Sequence, residues 1–166
     1  MQAPLCEVCL KSDILCGGCA AKLNNGELSQ TEIEVSRFIH RLSDKIKSLQ
    51  EAKLLKVIDS DVLLLVAGKG DAAKLVGKGG AIVKALAKKY DKSIKVLEEK
   101  EFRPFMTELI QPLAVSGFNM VYTPEGETYR IRVPSGQKQK QHISELALAD
   151  IAQKLFGKKV ELVFED

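Results

Sequence analysis

From Val35 onward, apolar side chains recur at helical spacing: Val35, Phe38, Ile39, Leu42, Ile46 and Leu49. The run is introduced by Ser29-Gln-Thr-Glu32, a serine and a glutamate three positions apart that can form a capping box. Together these predict an amphipathic helix over 30–51. The pattern then shortens. LLKVI (54–58), a DSD turn and VLLLVA (62–67) read as two short strands that pair. A loop and a short helix are predicted over 68–76, and a longer helix over about 80–90, with Ile82, Ala85, Leu86 and Tyr90 on one face. SIKVLE (93–98) closes this segment as a strand.

The same order recurs further on. A helix is expected over 102–113, a strand at FNMVYT (118–123), a PEGE turn, and a second strand at TYRIRVP (128–134), which alternates as a half-buried strand should. The polar stretch SGQKQKQ leads into a helix with Ile143, Ala147, Ile151 and Leu155 along one seam, and KVELVF (159–164) ends the run. Sliding the sequence by 66 residues puts Leu63, Leu65 and Ala67 on Tyr129, Ile131 and Val133, Ile94 and Val96 on Val160 and Leu162, and Asp91 on Gly157. The apolar pattern matches while the identities differ. This reads as two copies of one α-β-β-α-α-β module, the second with its middle helices merged.

The 28 residues before the first module hold Cys6, Cys9, Cys16 and Cys19, then the turn signal NNG. This segment reads as too poor in apolar residues to hold a core, so something else must fix it. Two CxxC pairs six residues apart can each seat two thiolates on one metal, with Gly17 and Gly18 allowing a tight knuckle. A tetrahedral zinc site with four cysteine ligands is the expected product. Because the protein fills all four positions, its role is expected to be structural, and metal binding would supply the folding energy. The overall expectation is an α+β chain: a zinc-binding unit at 1–28, then modules at 29–100 and 101–166.

Composition adds bounds. At 45% hydrophobic, the 166 residues are ordinary for a globular protein. No apolar run approaches the roughly 18–20 residues needed to span a bilayer. MQAPLCEVCLK lacks the order of a signal peptide, so a cytoplasmic location away from membranes is expected. Net charge is only +3, but between Gly68 and Lys95 eight lysines face two aspartates, a local +6, which leaves the remainder near −3. Such a segment fits either a polyanion site or a solvated lysine-rich helix face.

Within it lies AGKGDAAKLVGKGG. A P-loop does not fit: six residues separate Gly70 from Gly77, and Gly79 follows Lys78 where Ser or Thr is needed. A dinucleotide fold does not fit either, since Gly77–Gly80 interrupt the helix it requires. The remaining reading is a helix–loop–helix in which the glycines turn the backbone sharply and present bare amides to a ligand. The second helix's N-terminus favours negative charge there, and Lys78 at the tip adds a mobile positive one.

VGKGG between two helices, after VLLLVA and before SIKVLEE, resembles a type II KH domain with its GxxG loop. The tandem is similar to the KH pair of NusA, above all the small archaeal NusA-like factors. The resemblance implies single-stranded RNA as partner, with Gly77, Lys78, Gly79 and Gly80 clamping about four backbone nucleotides. Bases would lie in an apolar groove at Ile82, Val83 and the strand around Ile94 and Val96, all of them also ordinary core positions. Lys69, Lys74 and Lys84 would add phosphate contacts. It further implies action on nascent RNA in transcription elongation or termination, with RNA polymerase as a partner. Two alternatives stay open: RNA contact on the ribosome or during its assembly, and a protein-interaction adaptor with vestigial KH modules.

The second module departs from the pattern. ISEL (143–146) falls where the glycines should be, and GQKQ (136–139) offers a single glycine. Arg130, Arg132, Lys138 and Lys140 could extend a positive path, or the module could serve only as a brace. His40 and His142 have no neighbouring nucleophile motif, so neither enzyme activity nor a small-molecule substrate is expected.

Overall fold

Ser29 and Glu32 cap each other as their spacing predicts. In the computed structural model, which describes all 166 residues, Ser29 Oγ accepts the Glu32 amide at 3.1 Å and Glu32 Oε1 accepts the Ser29 amide at 3.2 Å. The helix they start, α3 (Gln30–Ser43), follows two short N-terminal helices, α1 (Glu7–Lys11) and α2 (Gly17–Asn24). It stops eight residues before the predicted end at 51. Its last carbonyls find other donors: Ser43 Oγ bonds the His40 carbonyl at 2.5 Å, and Gln50 Nε2 bonds that of Ser43 at 3.1 Å. Ile46 is extended, and a 3-10 turn at Lys47–Glu51 still delivers Leu49 to the core. The apolar stripe is therefore served by two pieces instead of one helix.

The chain divides into two units, Met1–Glu99 and Lys100–Asp166, each with a three-stranded sheet. In the first, β1 (Leu54–Asp59) pairs antiparallel with the central β2 (Leu63–Ala67), and β3 (Ile94–Glu98) pairs parallel to β2 on its other side. Between β2 and β3 the chain forms α4 (Ala72–Val76), a glycine turn and α5 (Ala81–Tyr90). One core joins Val35 and Ile39 of α3, Leu63, Leu65 and Ala67 of β2, Leu75 of α4, and Ile82 and Leu86 of α5. Glu32 binds this arrangement to the sheet edge. It is buried, and beyond its cap it accepts the Lys56 ammonium at 2.9 Å and the Val57 amide at 3.1 Å.

The N-terminal segment does possess a small core, contrary to the expectation that it has none. Leu5, Cys9, Leu10, Cys19 and Leu28 bury around Ile33 of α3. Two of these are cysteines, which pack as small hydrophobes. Ile33 comes from the neighbouring helix, which is why the segment by itself is too poor in apolar residues to reveal the cluster.

The second unit runs α6 (Phe102–Leu109), β4 (Gly117–Thr123), β5 (Gly126–Pro134), α7 (Glu145–Phe156) and β6 (Lys159–Glu165). α6 ends at Leu109 and not at 113, because Pro112 disfavours helical backbone at the residue before it. β5 is central, antiparallel to β4 and parallel to β6. Phe102 packs edge-on against Tyr129 of β5 at 4.9 Å and Phe156 of α7 at 5.3 Å, so both helices lie on one sheet face.

The 66-residue relation holds in the parallel registers. Leu63 and Leu65 pair with Ile94 and Val96, and Tyr129 and Ile131 pair with Val160 and Leu162. Asp91 and Gly157, one after each long helix, both adopt the left-handed region, at φ 51° and 64°. The middle helices of the second unit are not merged. A 3-10 turn at Ser135–Lys140 replaces the first, and residues 141–144 separate it from α7.

Candidate functional site

The turn between α4 and α5 is built by three glycines with positive φ: Gly77 at 83°, Gly79 at 64° and Gly80 at 75°. The reasons for glycine differ along it. A Cβ on Gly77 would lie 2.9 Å from Ile82 Cγ1 and 3.0 Å from the Ile82 amide nitrogen, so this glycine lets α5 close onto the turn. At Gly79 nothing lies within 4 Å. Lys78 and Gly79 are exposed, and the turn opens directly into the N-terminus of α5.

The predicted site residues sort by burial. Lys69, Lys78 and Lys84 are exposed and make no ion pair. Lys84 Cε reaches back to within 3.7 Å of where a Gly80 Cβ would stand, and Val83 flanks the same point at 3.6 Å. Val83, Ile94 and Val96 are half-buried, and β3 is an edge strand with one side unpaired. Ile82 is 1% exposed and is a core residue, so its side chain is not available to a base. Lys74 is engaged: its ammonium sits 2.9 Å from Asp71 Oδ1.

Asp71 is the residue that sequence reasoning misses. It is buried, and its Oδ2 accepts the Lys53 amide at 3.1 Å, tying the loop after β2 to the chain entering β1. The hydrogen bond from Lys74, above all, holds its carboxyl below the usual range. The Asp71–Lys74 spacing, with aspartate at the N-cap of α4, is the available signal.

In the second unit the positions equivalent to the glycine turn carry side chains and begin a helix instead. Ile143 is buried, and Ser144 Oγ caps α7 by accepting the Ala147 amide at 3.1 Å. Gly136 lies in the 3-10 turn, where Gln137 accepts the Ala114 amide at 2.6 Å. Arg130 and Arg132 do lie opposite Tyr129 and Ile131, but each meets a carboxylate: Glu161 at 3.1 Å and Glu165 at 3.6 Å.

The four cysteines converge. Their Sγ atoms all lie within 4.8 Å of one another, with those of Cys6 and Cys16 3.8 Å apart. Tetrahedral zinc with Zn–S near 2.3 Å requires sulfurs about 3.8 Å apart, so the four can hold a metal ion such as zinc. Cys6 is the N-cap of α1 and Cys16 that of α2, and each pair thus spans a helix's first turn. Amides point at the sulfurs: Cys16 N at Cys9 Sγ, 3.1 Å, and Cys19 N at Cys16 Sγ, 3.4 Å. The Cys19 amide, followed by the neighbouring thiols, pushes the Cys16 thiol down to about 6. The Cys16 amide pulls on the Cys9 thiol in the same direction, but burial and the other three thiols outweigh it and push that thiol up to about 12. Gly17 and Gly18 sit in the first turn of α2 and need no left-handed backbone, so the knuckle does not depend on glycine conformation. Arg37 Nε of α3 donates to the Cys9 carbonyl at 3.0 Å, anchoring the cysteine unit to that helix.

No protein-family model matches the chain, and no curated protein does. Among solved structures, the crystal structure of APE1850 is similar in fold: TM-score 0.60 at 18% identity, over 83% of this chain and 100% of that one. No helix is long and apolar enough to cross a membrane.

Proposed function

We propose that this chain is a single-stranded RNA-binding protein: a zinc-stabilised first unit of the type II KH kind, followed by a degenerate second KH module without the glycine loop. The observation that carries this reading is the open glycine turn. Exposed Lys78 and Gly79 stand at the mouth of α5, with unpaired Lys84 reaching back to Gly80 and unpaired Lys69 exposed in the loop before α4. A phosphodiester can approach such a backbone without meeting side chains, and the helix terminus and ammonium groups both attract it. Bases of the same strand would rest on Val83, Ile94 and Val96, beside the unpaired edge of β3. Zinc held by Cys6, Cys9, Cys16 and Cys19 is structural in this reading, since four protein thiolates leave no position for a reacting water. The setting we propose, on the likeness of the tandem to NusA-like factors, is nascent RNA during transcription elongation or termination. Binding, not catalysis, is the activity.

The test replaces Lys78 and Gly79 together by Asp. Gly79 has free space, and aspartate tolerates left-handed backbone better than most residues, so the fold should survive. Affinity for a short single-stranded RNA, read by fluorescence anisotropy, should fall by at least about tenfold, and the salt slope, near −0.7 per phosphate contacted, should flatten. Unchanged affinity in a folded variant would remove the clamp. Co-purification of RNA polymerase from cells, as opposed to ribosomal subunits, tests the setting.

A further inference from the structure

The two sheets present four edges, and three carry features that discourage pairing with another chain. β1 holds Lys56 and Asp59, contains a register break between Leu54 and Lys56, and is flanked by Gln2, whose carbonyl accepts the Leu54 amide at 2.8 Å. β3 carries Lys95 and Glu98, and β6 carries Lys159, Glu161 and Glu165. Charges and bulges of this kind are how edge strands avoid adding further strands.

β4, GFNMVYT, has none of them. It contains no charge and no proline, and pairs with β5 without a break over seven successive positions, Gly117 to Thr123. Its outer side is unpaired. Met120 is 43% exposed and Tyr122 74%, two of the few large apolar side chains in solvent. A long, regular, uncharged and exposed edge is a template for another extended strand.

We infer that β4 pairs antiparallel with β4 of a second copy of this chain, about a two-fold axis perpendicular to the sheet. The strand is complementary to itself. A register centred on Met120 sets Phe118 opposite Tyr122 of the second copy and Asn119 opposite Val121 of the second copy, and brings no like charges together. Aromatic cross-strand pairs on one face are among the favourable ones. The same symmetry would join two three-stranded sheets into one of six, with Arg130–Glu161 and Arg132–Glu165 left undisturbed behind the new seam. A single pair of edge strands is a small contact, and small interfaces are weak and transient.

Sedimentation equilibrium of the full metal-loaded chain, from about 1 to 200 µM, should show a monomer–dimer equilibrium in that range. Met120→Lys would oppose two ammonium groups at the axis and should leave a monomer with unchanged circular dichroism. Should that variant misfold, Tyr122→Lys, at a more exposed position, should do the same. Met120→Cys should give a disulfide-linked dimer under mild oxidation, because directly opposed residues in an antiparallel pair stand about 4.5–5.5 Å apart between Cα atoms. A monomer throughout would overturn the inference and leave this edge to a strand of a different protein. A dimer indifferent to both lysine variants would also overturn it.

Discussion

Gly77 and Gly79 share one sequence motif and one side of the Ramachandran plane, yet the structure asks different things of them. Alanine at Gly77 would add left-handed strain to a clash with the backbone of Ile82, together about 3 kcal/mol. Alanine at Gly79 meets open space and bears only the strain, about 1 kcal/mol. Urea unfolding midpoints of the two variants should differ accordingly, and equal losses would contradict this geometry. The motif alone shows that side-chain-free backbone is needed across 77–80. It does not separate packing from exposure, because that depends on where Ile82 points. Asp71 is hidden for a related reason. Its value lies in an amide eighteen residues upstream, and no local pattern reports that.

At the level of elements, the long helices and β5 are legible in the sequence through a period against one buried face, and β2 through an unbroken apolar run that is buried at all five positions. Ends are not. α3 stops where Gln50, folding back from seven residues on, takes its last carbonyl, a partner outside the reach of a periodicity argument. The N-terminal helices pose the opposite case. At five and eight residues, α1 and α2 are far below the length at which isolated helices hold. Their order must come from the sulfur cluster, the small core around Ile33 and the Arg37 anchor. Removing metal with a strong chelator should therefore abolish amide-exchange protection over 5–28. α3 from Val35 onward should keep its protection, since Val35 and Ile39 belong to the separate core under the first sheet. Retained protection at α1 and α2 in the metal-free chain would show that apolar packing alone suffices.

Across the whole molecule, the modest net charge of +3 conceals a selective use of cations. Some are engaged internally: Lys74 with Asp71, Lys92 with Asp59, and both β5 arginines with glutamates of β6. Left free are Lys78 and Lys84 at the open turn and Lys69 in the loop before α4. Replacing Lys69 and Lys84 by alanine should thus reduce the salt slope of RNA binding by about 0.7 for each. Arg130→Ala with Arg132→Ala should leave that slope and the affinity unchanged within about twofold, and a loss equal to the lysine pair's would restore the second unit as a binding surface. The duplicated architecture itself can be read from sequence, because strand pairing uses main-chain groups and tolerates wholesale replacement of side chains. Its asymmetry has a structural consequence. Where the first unit has glycines, the second has Ile143 in its interior and Ser144 at the head of α7, so those positions carry a structural duty of their own. Glycine at Ser144 would strip α7 of its cap, and glycine at Ile143 would empty a core position. The exposed turn of the first unit therefore cannot be transferred to the second by changing these positions alone.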